Sequence, residues 1–206
     1  MRKSLIAAAC AAAALTLVAC GQKDAPSNAA SGAASGAAAS ARAVDTLNKI
    51  KTSGVVNLGV RESSGLGYTL GNGKYVGFHT EMAERIVDDL KKDLGAPDLK
   101  INYQPITSQN RIPLLQNGTI DFECGSTTNN LARQKDVDFA VTTYVEEVRV
   151  AVNAKSGLKS IADLKGKTIV TTTGTTSVQT LRKHSRADGL DFKEVMGKDH
   201  ADSFLI

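Results

Sequence analysis

The chain has 206 residues, of which 25 are Lys or Arg and 21 are Asp or Glu, and its formal net charge is +4. Two of the basic residues, Arg2 and Lys3, lie at the N-terminus, so the rest of the chain is close to neutral and gives no electrostatic basis for nucleic-acid binding. About 160 residues follow the N-terminal region, which is enough for one compact domain or two small lobes.

The N-terminus predicts an export signal. Arg2 and Lys3 precede an uncharged apolar run, Leu5–Ala19, that is too short to span a bilayer. The run ends in Leu-Val-Ala-Cys-Gly, which resembles the lipobox of bacterial lipoproteins, where the cysteine is acylated after cleavage. We therefore predict a signal peptide over residues 1–19 and a lipid anchor on Cys20, which places the protein in the periplasm, attached to a membrane. The alternative is ordinary cleavage after small residues.

Residues 20–43 form a flexible tether in this interpretation. The stretch is rich in Ala, Ser and Gly and has almost no large side chains, so it cannot bury enough apolar surface to fold. Cys10 is removed with the signal peptide, and Cys124 is then the only cysteine that is not acylated. The chain therefore has no internal disulfide to form.

Strands and helices alternate from residue 44 onward, which predicts an α/β layered fold with parallel pairing. The glycines between residues 65 and 73 are interpreted as loop residues, because Leu70 stands where a dinucleotide-binding fingerprint needs its third glycine. The predicted strands are Val55–Val60, Leu99–Tyr103, Thr119–Cys124, Thr142–Val152, Thr168–Thr172 and Phe192–Val195. The predicted helices are His79–Leu94, Ser108–Leu115 with Ser108 as its cap, Asn129–Lys135, Ile161–Leu164 and a helix that runs from Ser177 toward Arg186.

The stretch Ile106–Ala140 indicates what the protein captures. It places Arg111 and Arg133 among hydroxyl side chains, without a histidine, metal-ligand spacing or an activated nucleophile beside them. Guanidinium groups surrounded by hydroxyls suit a planar anion held by paired hydrogen bonds. We therefore predict a carboxylate-binding site, with no metal, no cofactor and no enzymatic activity.

Three polar segments follow predicted strands directly: Arg61, Ser126–Thr128 and Gly174–Ser177. Ligands of α/β sheets bind at the carboxyl ends of strands, so these segments are expected to share one site. Gly174 allows the chain to bend closely around a ligand, and the residues after it sit at a helix N-terminus, which favours anions.

Several stretches resemble the glutamate/aspartate-binding proteins of bacterial ABC importers, which belong to the family 3 solute-binding proteins. The likeness runs in register from about residue 45 to the end and is carried by RESS at 61–64, the whole of 106–135, ADLKGKTIV at 162–170, GTTS at 174–177 and KDHADSF at 198–204. It implies a two-lobed fold of the type II periplasmic-binding-protein kind that closes on its ligand like a hinged clamp. Lobe 1 is expected over residues 44–145 and the first part of lobe 2 over residues 146–206.

The resemblance also implies roles for individual residues. Arg133 and Thr128 from lobe 1, with Thr176 from lobe 2, are expected to hold an α-carboxylate, and Ser126 to meet the α-ammonium group. The implied partners are glutamate or aspartate and the membrane subunits of an ABC permease, and a monomer is expected. The residues expected to receive the side-chain carboxylate are Arg61, Ser108, Arg111 and His200.

The C-terminal residues, Phe204-Leu205-Ile206, look like the apolar opening of a helix without a terminator. In the resembled family, lobe 2 continues and the chain then returns to complete lobe 1. We therefore interpret the chain as a fragment in which lobe 2 and that return are incomplete.

Two other functions remain open at this point. One is an enzyme on the same scaffold, such as a periplasmic cyclohexadienyl dehydratase, for which Glu62, Glu123 and His200 are the candidate acids or bases. The other is the sensory domain of a receptor, which would continue into a membrane-spanning helix after residue 206.

Overall fold

A computed structural model describes residues 45–206. The predicted signal peptide (1–19), Cys20 and the tether (20–43) lie outside the described residues, as does residue 44, where the predicted lobe 1 begins. Within the described part, no helix is long and apolar enough to cross a membrane. The described part opens with a helix over residues 45–53 (α1), which the sequence analysis did not predict.

The first sheet has three parallel strands in the order β5-β1-β6, formed by β1 (Val55–Arg61), β5 (Lys100–Ile106) and β6 (Phe122–Glu123). β1 is central and pairs with β5 along its whole length. A strand paired on both edges and covered by helices can be apolar throughout, which explains why Val56 and Leu58 are completely buried. The helix α2 (Phe78–Asp93) packs Ala83 and Val87 into the same core and ends before Gly95, as predicted.

A small antiparallel sheet stands where the sequence analysis expected a glycine-rich loop. It consists of β2 (Ser63–Ser64), β3 (Gly67–Gly71) and β4 (Lys74–Val76). Asn72 and Gly73 form the turn between β3 and β4, with φ angles of 53° and 73°. This is the Asn-Gly turn typical of β-hairpins, so the expectation of a loop was wrong and a recognisable signal was overlooked.

Residues 45–135 form the first unit of the described chain, and Asp121 ties three of its segments together. Its carboxylate accepts hydrogen bonds from the Asn57 backbone amide at 2.7 Å and from Lys49 Nζ at 2.8 Å. The Asp121 side chain is only 1% exposed. The strand predicted over Thr119–Cys124 is shorter in the structure, since β6 has only two residues paired with β1. The hydrogen bond from the Asn57 amide to the Asp121 carboxylate adds a further link between β1 and the residues just before β6.

Residues 158–206 form a second unit with its own core, around Leu164, Ile169 and Leu181. A capping box between Ser160 and Asp163 starts the predicted turn Ile161–Leu164, which is a 3-10 helix. The second unit also contains two parallel strands, β7 (Thr168–Thr172) and β8 (Lys193–Gly197). Two helices, α4 (Thr176–Asp188) and α5 (His200–Leu205), lie beside these strands.

Besides β6, three further predicted elements differ clearly from the structure. No strand forms over Thr142–Val152, because no other described segment pairs with it, and Val141 and Val145 are 85% and 86% exposed. The predicted helix Asn129–Lys135 is reduced to a 3-10 turn, Arg133–Lys135, since the Asn130 side chain accepts the Arg133 amide. The helix predicted from Ser108 begins only at Arg111 (α3, Arg111–Gln116).

The late start of α3 has a local cause. Thr107 and Asn110 exchange side chain–backbone hydrogen bonds, at 2.8 and 3.2 Å, and so form the turn that precedes the helix. Ser108 is therefore not the helix cap that the sequence analysis predicted. Its side chain is instead free to contact Arg61.

Candidate functional site

Arg61 is the last residue of β1 and is only 3% exposed. Its Nη2 donates a hydrogen bond to Ser108 Oγ at 3.1 Å, while Nε and Nη1 are buried and have no hydrogen-bond partner among the described residues. Burial lowers the pKa of this guanidinium, and the nearby carboxylates of Glu123 and Asp199 oppose the shift. Arg61 is thus a buried cation with unused donors.

Arg111, the first residue of α3, is even more enclosed, at 2% exposed. Its Nη1 lies 3.8 Å from Glu123 Oε1, which is an ion pair but not a hydrogen bond, and its Nε and Nη1 have no hydrogen-bond partner among the described residues. Burial, opposed by Glu123 and aided by the charges of Arg133 and Arg61, lowers the pKa of Arg111 to about 10. The group therefore stays charged at neutral pH.

Glu123 is the residue that the site prediction missed. It lies on β6, its side chain is 4% exposed, and Oε2 accepts a hydrogen bond from Thr127. The sequence analysis considered Glu123 only as an acid or base of an alternative enzyme. The only signal in the sequence was an acidic residue between Phe122 and Cys124 in a predicted strand, because the arginines beside it are brought there by the tertiary fold.

Arg133 joins the two units of the described chain. Its Nη1 donates to the Thr128 carbonyl at 2.9 Å, and its Nη2 donates to the Gly174 carbonyl at 3.1 Å. Beside it, the hydroxyls of Thr128 and Thr176 lie 3.4 Å apart. Thr176 is the first residue of α4. The hydroxyl of Thr176 from the second unit therefore meets the Thr128 hydroxyl and the Arg133 guanidinium from the first unit at this helix N-terminus.

Gly174 lies in the turn after β7 with a φ of +79°. A Cβ at this position would be 2.5 Å from the Ser108 carbonyl oxygen and 2.7 Å from Gln109 Cα. Only glycine therefore allows this turn of the second unit to lie directly on the loop before α3.

His200, the first residue of α5, lies on the second unit but near the buried arginines. Its Nδ1 is 3.1 Å from Thr172 Oγ1, and α5 packs against β7, β8 and β2. Burial lowers the pKa of His200, the positive charges of Arg61 and Arg111 lower it further, and Asp199 partly opposes them. The imidazole is therefore largely neutral at pH 7.

The remaining polar groups complete the description of this region. Ser126 is half-buried in the loop after β6, between Glu123 and Thr128. Cys124 is a free, half-buried thiol within the described part, and burial, with Glu123, raises its pKa. Among the described residues, no group of three or more His, Cys, Asp or Glu side chains could hold a metal ion.

Comparison with known proteins places the chain among binding proteins. The model of the bacterial extracellular solute-binding proteins, family 3, matches residues 56–200. A glutamate/aspartate import solute-binding protein of Salmonella typhimurium is 47% identical over 163 residues, which cover 79% of this chain and 54% of that protein. An L-glutamate/L-aspartate-binding protein of Pseudomonas aeruginosa is 43% identical over 163 residues, which cover 78% of this chain and 54% of that protein. The chain thus spans about half the length of these curated relatives.

A solved structure shows the same fold. The crystal structure of an ancestral amino acid-binding protein, described as a precursor of cyclohexadienyl dehydratase, matches with a TM-score of 0.63 and 26% identity, covering 78% of this chain and 68% of that one. Together with the family match, this similarity confirms the predicted α/β fold of the type II periplasmic-binding-protein kind.

Proposed function

The chain belongs to the bacterial extracellular solute-binding proteins of family 3, and on this premise we propose that it binds glutamate or aspartate outside the cytoplasmic membrane and delivers it to an ABC-transporter permease. The relatives described above are named for glutamate and aspartate, which supports the proposed ligand class. The periplasm, a lipid anchor on Cys20 and a monomeric state are parts of the same proposal.

The observation that carries this proposal is the positive charge at the junction of the two units. Arg61 and Arg111 are buried, and their Nε and Nη1 atoms have no hydrogen-bond partner in the part of the chain that the structure describes. A third guanidinium, Arg133, lies close enough for its charge to act on Arg111. An α-carboxylate needs one such group. The two buried arginines are explained if the ligand brings a second carboxylate.

Each end of the ligand has a proposed set of partners. The α-carboxylate would lie between Arg133, Thr128 and Thr176, where both units already meet, and the α-ammonium group would face Ser126. The side-chain carboxylate would accept hydrogen bonds from the open donors of the buried arginines and from the groups beside them. We assign that end to Arg61, Ser108, Arg111 and His200.

The division into lobes is part of the proposal. Residues 44–145 would form lobe 1, with the β5-β1-β6 sheet as its core, and residues 146–206 would belong to lobe 2. Arg133 and Gly174 then lie on opposite sides of the cleft, so the hydrogen bond between them would be one of the contacts that keep the clamp closed.

Calorimetry of the full-length protein with glutamate, aspartate, glutamine and asparagine tests this function. The acidic ligands should bind far more tightly, because Glu123 balances the charge of the buried Arg61 and Arg111 only in part, and an amide ligand leaves the remaining positive charge without a counter-charge. The loss expected for the amides is about 2–5 kcal/mol, or roughly 30- to 5,000-fold in affinity. Equal binding of glutamate and glutamine would refute the assignment. Turnover of a cyclohexadienyl substrate by the same sample would favour the dehydratase alternative.

A further inference from the structure

The charges around the buried arginines are partly balanced before any ligand arrives. Glu123 and Asp199 are the two carboxylates whose charges act on Arg61. Asp199 is committed elsewhere, because it caps α5 by accepting the Asp202 amide at 2.9 Å. Glu123 is therefore the buried anion that is available to the arginine pair.

The carboxylate of Glu123 is only half engaged. Thr127 holds Oε2, whereas Oε1 is buried without a hydrogen-bond partner among the described residues and faces Arg111 at 3.8 Å. At that distance the pair keeps its Coulomb attraction but leaves the donors of Arg111 open. Glu123 thus supplies charge to the arginine without occupying its hydrogen-bonding positions.

Gly125 makes this arrangement sterically feasible. A Cβ at Gly125 would lie 2.4 Å from Glu123 Oε1 and 3.4 Å from Arg61 Cγ. The bare backbone at this position therefore packs closely against the carboxylate and lies near the Arg61 side chain. A side chain at this position would overlap Oε1, so the Glu123 carboxylate could not keep its present place.

We propose that Glu123 is a specificity-determining residue: it neutralises one of the two guanidinium charges, so that the subsite formed by Arg61 and Arg111 carries one net positive charge and matches a singly charged carboxylate. This inference rests on the proposed function, because it sets the charge of the ligand group that the subsite accepts. Without Glu123, two positive charges would face that group, and a doubly charged side chain would become the better match.

The test compares glutamate with its phosphonate analogue, 2-amino-4-phosphonobutyrate, whose side chain is a dianion at pH 8. Dissociation constants are measured for the full-length wild type and for Glu123→Gln. The ratio of phosphonate affinity to glutamate affinity should rise in Glu123→Gln by at least about tenfold, the effect expected of one added charge in a buried site. Glu62→Gln, which removes an exposed carboxylate one residue after Arg61, is the control and should leave the ratio unchanged.

A second variant covers the case in which Glu123→Gln does not fold. The pair Arg61→Gln/Glu123→Gln removes one charge of each sign and should keep the wild-type ratio. An unchanged ratio in Glu123→Gln, or a raised ratio in the charge-balanced pair, would overturn the inference. If the wild type binds neither compound, the proposed function itself fails, so the two failures are distinguishable.

Discussion

Arg111 and Arg133 have different surroundings, and these predict different roles. Arg111 is fully enclosed beside Glu123, whereas Arg133 is half-buried and reaches from Thr128 to Gly174 across the two units. A buried guanidinium with unused donors selects for an anion. A guanidinium at the junction of the two units, such as that of Arg133, suits the α-carboxylate, which all amino acids share.

Arg111→Ala should therefore erase most of the preference for acidic over amide ligands, while Arg133→Ala should weaken every amino acid alike. Losses of about 2–5 kcal/mol are expected for the interactions removed. The measurement is calorimetry with glutamate, aspartate, glutamine and asparagine. Arg85→Ala, on the exposed face of α2, is the matched control. The same pattern of losses in both site variants would contradict the division of roles.

His200 predicts a linkage between binding and protons. Burial and the charges of Arg61 and Arg111 lower its pKa in the ligand-free protein, and a bound side-chain carboxylate would raise the pKa again. Protons should then be taken up on binding, and affinity for glutamate should increase modestly as the pH falls from about 8 toward the ordinary histidine pKa near 6.5 and below. Calorimetry in two buffers of different ionisation enthalpy measures the uptake. His200→Gln should abolish it, and equal heats in both buffers for the wild type would exclude this role.

At the level of single residues, the position directly after a predicted strand was the feature that identified site residues. Arg61, Thr128 and Thr176 follow strands in the sequence, and the structure brings Arg61 to Ser108 and Thr128 to Thr176. Glu123 was overlooked because a carboxylate inside a short apolar strand is unfavourable on its own. Its burial makes sense only with Arg111 and Thr127 in place, and that is a tertiary relationship.

Among the elements, the turn between β7 and α4 has the most specific requirement. Gly174→Ala would meet two penalties: a positive φ, and a Cβ 2.5 Å from the Ser108 carbonyl oxygen. We expect it to weaken glutamate binding, since the second unit can no longer rest on the loop before α3.

Gly157→Ala separates the two penalties. Gly157 also has a positive φ, of 73°, but nothing lies within 4 Å of its would-be Cβ. Both variants should lose about 1 kcal/mol of stability from backbone strain, and only Gly174→Ala should lose affinity. Thermal unfolding and calorimetry measure the two effects. Equal loss of affinity in both variants would refute the contact argument.

Elements with local signals were predicted well. The four-residue apolar spacing located α2, and β7 was predicted with its observed bounds, Thr168–Thr172. The failures have physical causes. Residues 142–152 have the composition of a strand, but a strand needs a neighbour to accept its hydrogen bonds, and none of the described segments supplies one. The hairpin of β3 and β4 was missed because its glycines were interpreted as loop residues, although Asn72-Gly73 is a local hairpin signal.

For the whole molecule, the buried histidines predict sensitivity to acid. His79 is 3% exposed, both its ring nitrogens lack a hydrogen-bond partner among the described residues, and burial lowers its pKa despite Glu123 and Glu146. Burial lowers the pKa of His200 as well. In the unfolded chain a histidine has a pKa of about 6.5, which is higher than the pKa of either buried histidine in the folded protein. The unfolded chain therefore binds more protons when the pH is below about 6.5. The free energy of unfolding should be greatest above pH 6.5 and should decrease as the pH falls through about 6.5 toward the lowered pKa values.

Thermal unfolding between pH 8 and pH 5 tests this linkage, because most carboxylates remain ionised over that range. The melting temperature of the ligand-free, full-length protein should fall on the acid side, and His79→Gln should reduce the slope. A melting temperature that is flat, or that rises toward acid, would contradict it.

The attachment of the molecule is a separate prediction. Cys20 follows Leu17-Val18-Ala19 in lipobox register, so Cys20→Ser should move the protein from the detergent fraction to the soluble periplasmic fraction. Fractionation followed by immunoblotting measures this. Membrane association that persists in the variant would count against acylation.

The central place of β1 determines when the first sheet can assemble. Both of its partners, β5 and β6, come later in the chain, and the Asn57 amide binds a carboxylate 64 residues away. β1 therefore cannot complete its pairing until the chain has emerged as far as Glu123. Such long-range pairing slows folding and leaves apolar strands exposed in the meantime. Of the described strands, β1 is accordingly the one whose apolar side chains stay without their sheet neighbours longest while the chain is being made.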